Sequence, residues 1–176
     1  MKNLLSALSG IFSTIPGLAV IASGIGVPPS YQILFGGVIE ALGVLALLIL
    51  WVNREALRKE SRRKITTWAV ILGSTSLLLI CLYIIAYNHC VVTVGDRALV
   101  YYPLWLTGEG AAQIARVGGR VAAVSYYGSG GVQAIVDTMG TALNVTTALL
   151  LFLYQAIFTS LTLAFGVAGF HIEKTV

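Results

Sequence analysis

Residues 31–52, YQILFGGVIEALGVLALLILWV, form an apolar stretch interrupted by a single acid, Glu40. At about 1.5 Å per residue a helix of this length reaches roughly 33 Å, enough to cross the hydrocarbon core of a bilayer. A carboxylate at mid-depth costs about 2.5–3.5 kcal/mol on insertion scales, so Glu40 is expected to face protein or water. Gly36 lies four residues before it and Gly43 three after, followed by Leu47, on one helical face. A stripe that thin lets a second helix come close. The stretch predicts a membrane crossing with a helix or subunit contact built around Glu40.

Composition agrees with that reading. The 176 residues are 57% hydrophobic and 10% charged, with a mean hydropathy of +0.89. Soluble domains carry about 25% charged residues, so the composition argues against a soluble globular class. The net charge of +4 does not point to nucleic acid, because six of the eleven basic residues fall between Arg54 and Lys64, flanked by apolar spans. Arg54, Arg58, Lys59, Arg62, Arg63 and Lys64 read as a cytoplasmic loop that meets anionic lipid or an acidic cytosolic partner. Glu55 precedes Lys59, and Glu60 precedes Lys64, by four residues, the favourable order for ion pairs on a helical extension.

Before residue 31, Leu4, Leu8, Ile11, Ile15, Leu18, Ala22 and Ile25 keep a four-three spacing, with Ser6, Gly10, Ser13, Gly17 and Gly24 on another face. This is a first span, bent at Pro16 and closed by Val27-Pro28-Pro29-Ser30. A third span covers 65–87; its centre holds Gly73, Ser74, Thr75 and Ser76, the hydroxyls best placed to bond Glu40. A fourth covers about 144–170, with Gln155, Thr159 and Ser160 near its middle. Lys2, the 54–64 cluster and Lys174 then share one side, which puts both termini in the cytoplasm of what reads as a bacterial inner membrane. The expected class is an all-α integral membrane protein with four transmembrane helices and a small α+β extracytoplasmic segment between the third and fourth. Its parts are 1–87, the cap 88–142, and 143–176.

Residues 88–142 carry three Arg and three acids, a neutral balance that suits the outer side. CVVTV-GDR-ALVYY predicts a β-hairpin, AAQIARV a short helix, RVAAVSYY a third strand, and VQAIVDTMG a further helix after the GSGG break. Tyr101, Tyr102, Trp105, Tyr126 and Tyr127 are the expected packing or headgroup-contacting residues. Cys81 and Cys90 are separated by about 13 Å of helix, too far for a disulfide, leaving Cys90 to bridge to another subunit at most.

HExxH and a Walker loop are missing, both histidines lie outside the spans, and Glu40 is the sole intramembrane acid. No enzyme, cofactor or metal site is expected. With four short helices and one membrane acid the chain resembles small multidrug resistance transporters, which would imply proton-coupled transport. It departs from them in placing its acid in the second span and in its sizeable outer segment. In outline it also looks like a tetraspanin, though 88–142 lacks that family's Cys-Cys-Gly signature, and like small four-span subunits of bacterial phage-defence systems. The expected function is a homo-oligomeric assembly that conducts ions or permeabilises the membrane. The alternatives are a non-conducting sensor or scaffold that recruits a cytosolic partner, then the proton-coupled transporter.

Overall fold

The computed structural model describes residues 7, 9–11, 32–94 and 98–173. Most of the expected first span, with its Pro16 bend and the break at 27–30, lies outside the described residues. So do the hairpin turn 95–97, Lys174, and the side chains of Gly36, Glu40 and His171.

The described chain is mostly helical. Residues 7 and 9–11 are helical, followed by α1 (Gln32–Val52), α2 (Arg54–Lys59), α3 (Arg62–Cys90), β1 (Val91–Val94), β2 (Ala98–Tyr101), α4 (Gly108–Arg116), α5 (Arg120–Asp137) and α6 (Gly140–Glu173). Two helices are long and apolar enough to cross a membrane, α3 and the Gly140–Gly169 part of α6. Within α1, Ala41–Val52 form a shorter apolar run. Only 6% of the most apolar window of α3 is buried within the chain, against 39% for α6. A core helix of a soluble domain buries far more of its apolar surface than that.

Two compact units divide the chain: Met1–Cys81 with Leu153–Val176, and Leu82–Phe152. In the first, Gly43, Ala46 and Leu50 are the buried positions among the described side chains of α1, spaced three and four apart, while Leu42, Val44, Leu45, Leu48 and Ile49 are exposed. Leu50, Leu57, Ile65 and Val167 form its apolar cluster, with Ala69, Leu72 and Leu163 against them. The expected helical extension over 53–64 is broken. Glu60 is extended (φ −67, ψ 153), and the Ser61 hydroxyl accepts the Lys64 N–H at 3.4 Å, starting a new helix instead of continuing the old one. The expected Glu60–Lys64 pair is formed, Oε2 to Nζ 3.0 Å.

The second unit is built on the β1–β2 hairpin, antiparallel with Val91 opposite Tyr101 and Val94 opposite Ala98. Val100, Tyr102, Ile114, Ala123, Val124, Val132 and Val136 make its core. The expected helix over AAQIARV is α4. The expected third strand, RVAAVSYY, is instead the first half of α5. Its buried residues Ala123 and Val124 are neighbours, whereas a half-buried strand hides alternate residues; Val121, Ser125, Tyr126 and Tyr127 are exposed. Two alanines in a row also favour helix. The break falls at Gly128, whose φ 71 and ψ 168 are open to glycine and almost nothing else.

Candidate functional site

Within the first unit, α6 is the helix that the others meet. Gln155, Thr159, Thr162 and Gly166 are spaced four, three and four apart and therefore share one face. Gln155 Nε2 donates to Thr159 Oγ1 at 2.9 Å. The Ser9 hydroxyl donates to the Thr162 carbonyl at 2.9 Å, with both side chains buried. At Gly166 a Cβ would stand 2.2 Å from Leu50 Cδ1 and 3.3 Å from Ser9 Oγ. Gly166 is thus where α1 and the residue 9–11 helix close on α6, an approach that a side chain would forbid.

A second face of α6 carries Ser160, whose hydroxyl lies 2.7 Å from that of Ser76 on α3. Each hydroxyl also reaches its own helix, Ser76 to the Leu72 carbonyl at 2.8 Å and Ser160 to the Ile157 carbonyl at 2.9 Å. Two hydroxyl protons serve three contacts, so one serine donates across the interface while the other keeps its own carbonyl. Among the described residues of this unit, Gln155 Oε1 and Thr162 Oγ1 are buried without a hydrogen-bond partner. Such atoms are costly inside a bilayer and are normally served by water or a neighbouring chain.

The sequence-derived site residues divide as follows. Gly43 is buried on α1, Ser76 is buried against Ser160, and Gln155 is half-buried on the polar face of α6. Ser74 and Thr75 are exposed. Gly36 and Glu40 are within α1, but the bond expected between Glu40 and the α3 hydroxyls involves a side chain outside the described residues. Ser9, Thr162 and Gly166 were not anticipated. The four-three-four rhythm through 155–166 was the available signal.

Arg54, Arg58, Lys59, Arg62, Arg63 and Lys64 are all exposed. The Arg54 guanidinium sits 4.9 Å over the Trp51 ring, an arrangement common at membrane interfaces. Beside this elbow an apolar groove of about 290 Å³ runs between the end of α1, α2 and Trp68 of α3.

In the second unit Arg120 is the organising side chain. It donates to the carbonyls of His89, Pro103 (3.1 Å) and Leu104 (3.2 Å) and lies 5.5 Å over the Tyr102 ring. The Tyr102 hydroxyl donates back to the Arg120 carbonyl at 2.8 Å. Leu104 N–H donates to Thr146 Oγ1 at 2.9 Å. Of the expected aromatic packing residues, Tyr102 is fully buried and Tyr101 partly so, while Trp105, Tyr126 and Tyr127 are exposed. Burial pushes the Tyr101 phenol up to about 12, partly offset by the Thr147 hydroxyl beside it, and also raises Tyr102. Cys90 is fully buried, which removes it as a bridge to another subunit. Among the described residues no three of His, Cys, Asp and Glu gather as metal ligands would.

No protein family, curated protein or solved structure matches this chain.

Proposed function

We propose that this chain is a four-span integral membrane protein that works as a homo-oligomer, with a hydrated, ion-conducting seam along the Gln155–Thr162 stretch of α6, short of the close approach at Gly166. The observation that carries it is the pair of buried, unpartnered atoms Gln155 Oε1 and Thr162 Oγ1 on a helix apolar enough to span. Water threading that face would satisfy both and link the Thr159 hydroxyl between them. Oligomerisation is supported by α3, whose exposed Ser74 and Thr75 hydroxyls would be covered by a second protomer. In this arrangement 88–142 is extracytoplasmic, both termini are cytoplasmic, and Glu40 lies at the depth where an acid favours cations.

Ion flux from vesicles holding the purified full chain tests this. Wild-type vesicles are expected to leak, Gln155→Leu and Thr162→Val to slow the leak on the order of tenfold, as the loss of one buried polar contact implies, and Glu40→Gln to alter it. Wild-type vesicles that stay tight under voltage, pH and osmotic steps overturn the conducting reading. A second reading is favoured by the six exposed cations of 54–64: a scaffold that recruits an acidic cytosolic partner. It requires that neutralising Arg58, Arg62 and Arg63 abolish a pull-down without changing membrane insertion.

A further inference from the structure

The groove beside the basic elbow has a composition that bulk lipid contact alone does not require. Its walls are Ile49, Leu57, Trp68 and Val167, and Leu57 is pinned in place by Leu50 and Ile65. The polar groups at its edge are already engaged. Asn53 Nδ2 donates to the Ile49 carbonyl at 2.8 Å, and Glu60 is held by Lys64 at 3.0 Å. The pocket therefore presents mostly hydrocarbon, and cations adjoin its two polar edge residues: Lys64 pairs with Glu60, and Arg54, next to Asn53 in the chain, stacks on Trp51. Across 53–64 there are six cations against two acids, one of them neutralised by Lys64.

We infer that this groove is a binding site for one anionic phospholipid, resting on the membrane-spanning reading above. One acyl chain lies in the groove and the headgroup phosphate meets the elbow cations. The volume of about 290 Å³ falls just below the roughly 300–1,000 Å³ typical of small-ligand sites, which suits a length of unbranched chain. An acidic peptide would find the cations but would waste the apolar wall. A zwitterionic lipid would fill the wall, but its headgroup ammonium would offset the attraction of its phosphate to the cations. Only an anionic amphiphile uses both. Such a lipid would brace the junction of α1, α2 and α3, where the chain breaks at Glu60 and Ser61.

Native mass spectrometry of the detergent-solubilised full chain, offered equal phosphatidylglycerol and phosphatidylcholine of matched acyl length, tests the site. One phosphatidylglycerol should be retained per chain, preferred on the order of tenfold. Ala56→Phe, at an exposed groove-lining position of α2, should abolish retention by filling the groove. Arg54→Gln with Lys64→Gln, the two cations that adjoin the groove's edge residues, should bring the two lipids near parity. Equal retention of both lipids by the wild type overturns the site. So does phosphatidylglycerol binding that survives Ala56→Phe, or a second copy of the chain or an added acidic peptide held in place of lipid. Alkaline carbonate extraction separates the two readings. A wild-type chain that stays in the membrane pellet yet retains no lipid refutes this site alone, whereas one that washes free refutes the membrane reading as well.

Discussion

Arg120 joins backbone segments that lie 16 to 31 residues away from it in the chain. Hydrogen bonds from a charged group contribute about 1.5–3 kcal/mol each, so Arg120→Ala should lower the stability of the second unit by about 2–4 kcal/mol. Thermal unfolding in detergent, followed by proteolysis within 88–142, measures this. Arg120→Lys should recover only part, because an ammonium cannot span several carbonyls as the planar fork does. Tyr101 gives a pH-dependent counterpart. Its folded value near 12 exceeds the ordinary 10, so its contribution is complete below about pH 10 and is lost as pH rises from about 10 to about 12. Tyr101→Phe should flatten the fall in unfolding temperature across that interval; an unchanged alkaline slope would assign the fall to other groups. In the first unit, Gly166→Leu should destabilise by about 1–3 kcal/mol through overpacking against Leu50, and Leu50→Ala should relieve part of that cost in the double variant. Of these three residues only Tyr101 stood out in sequence, as an aromatic of the 88–142 segment. Arg120 was one of three arginines in a neutral segment, and the significance of Gly166 depends on what packs against it.

At the scale of elements, the patterns that announce themselves locally were legible. The β1–β2 hairpin follows from two apolar runs around Gly95-Asp96, and α3 and α6 from their length and hydropathy. Segment 120–127 was not, because a short run of Val, Ala, Ser and Tyr satisfies both periods until its burial partners are known. The GSGG break was legible as a break, but it interrupts a helix where a strand-to-helix junction was expected. At Gly128, Gly128→Ala should cost about 1–3 kcal/mol, since φ 71 with ψ 168 is a glycine conformation, while Gly130→Ala, two residues on with open space around its Cβ, should be nearly neutral. Equal effects of the two would mean that the kink is not a fixed feature of α5. The centre of the first unit also moved. The most conspicuous feature of the sequence is 31–52 with Glu40, whereas the described contacts converge on α6 through Ser9, Leu50 and Ser76. An acid in an apolar run is conspicuous; a Thr-and-Gly stripe is not.

For the whole molecule the governing fact is apolar surface that the chain does not bury itself. The most apolar window of α3 is 6% buried, and Leu77, Leu78, Leu82, Ile84 and Ile85 are exposed along it. Surface of that kind needs hydrocarbon or another protomer against it. Polar atoms on α6 are hidden in the same chain. A bilayer around α3 with water along one face of α6 accounts for both observations together. Thiol labelling tests that pairing most directly. In a Cys81→Ser, Cys90→Ser background reconstituted in lipid, Gln155→Cys should react with a small water-soluble thiol reagent, while Leu78→Cys should stay protected until detergent is added. Rapid labelling of Leu78→Cys in intact vesicles, or a Gln155→Cys as inert as Leu78→Cys, would contradict the account.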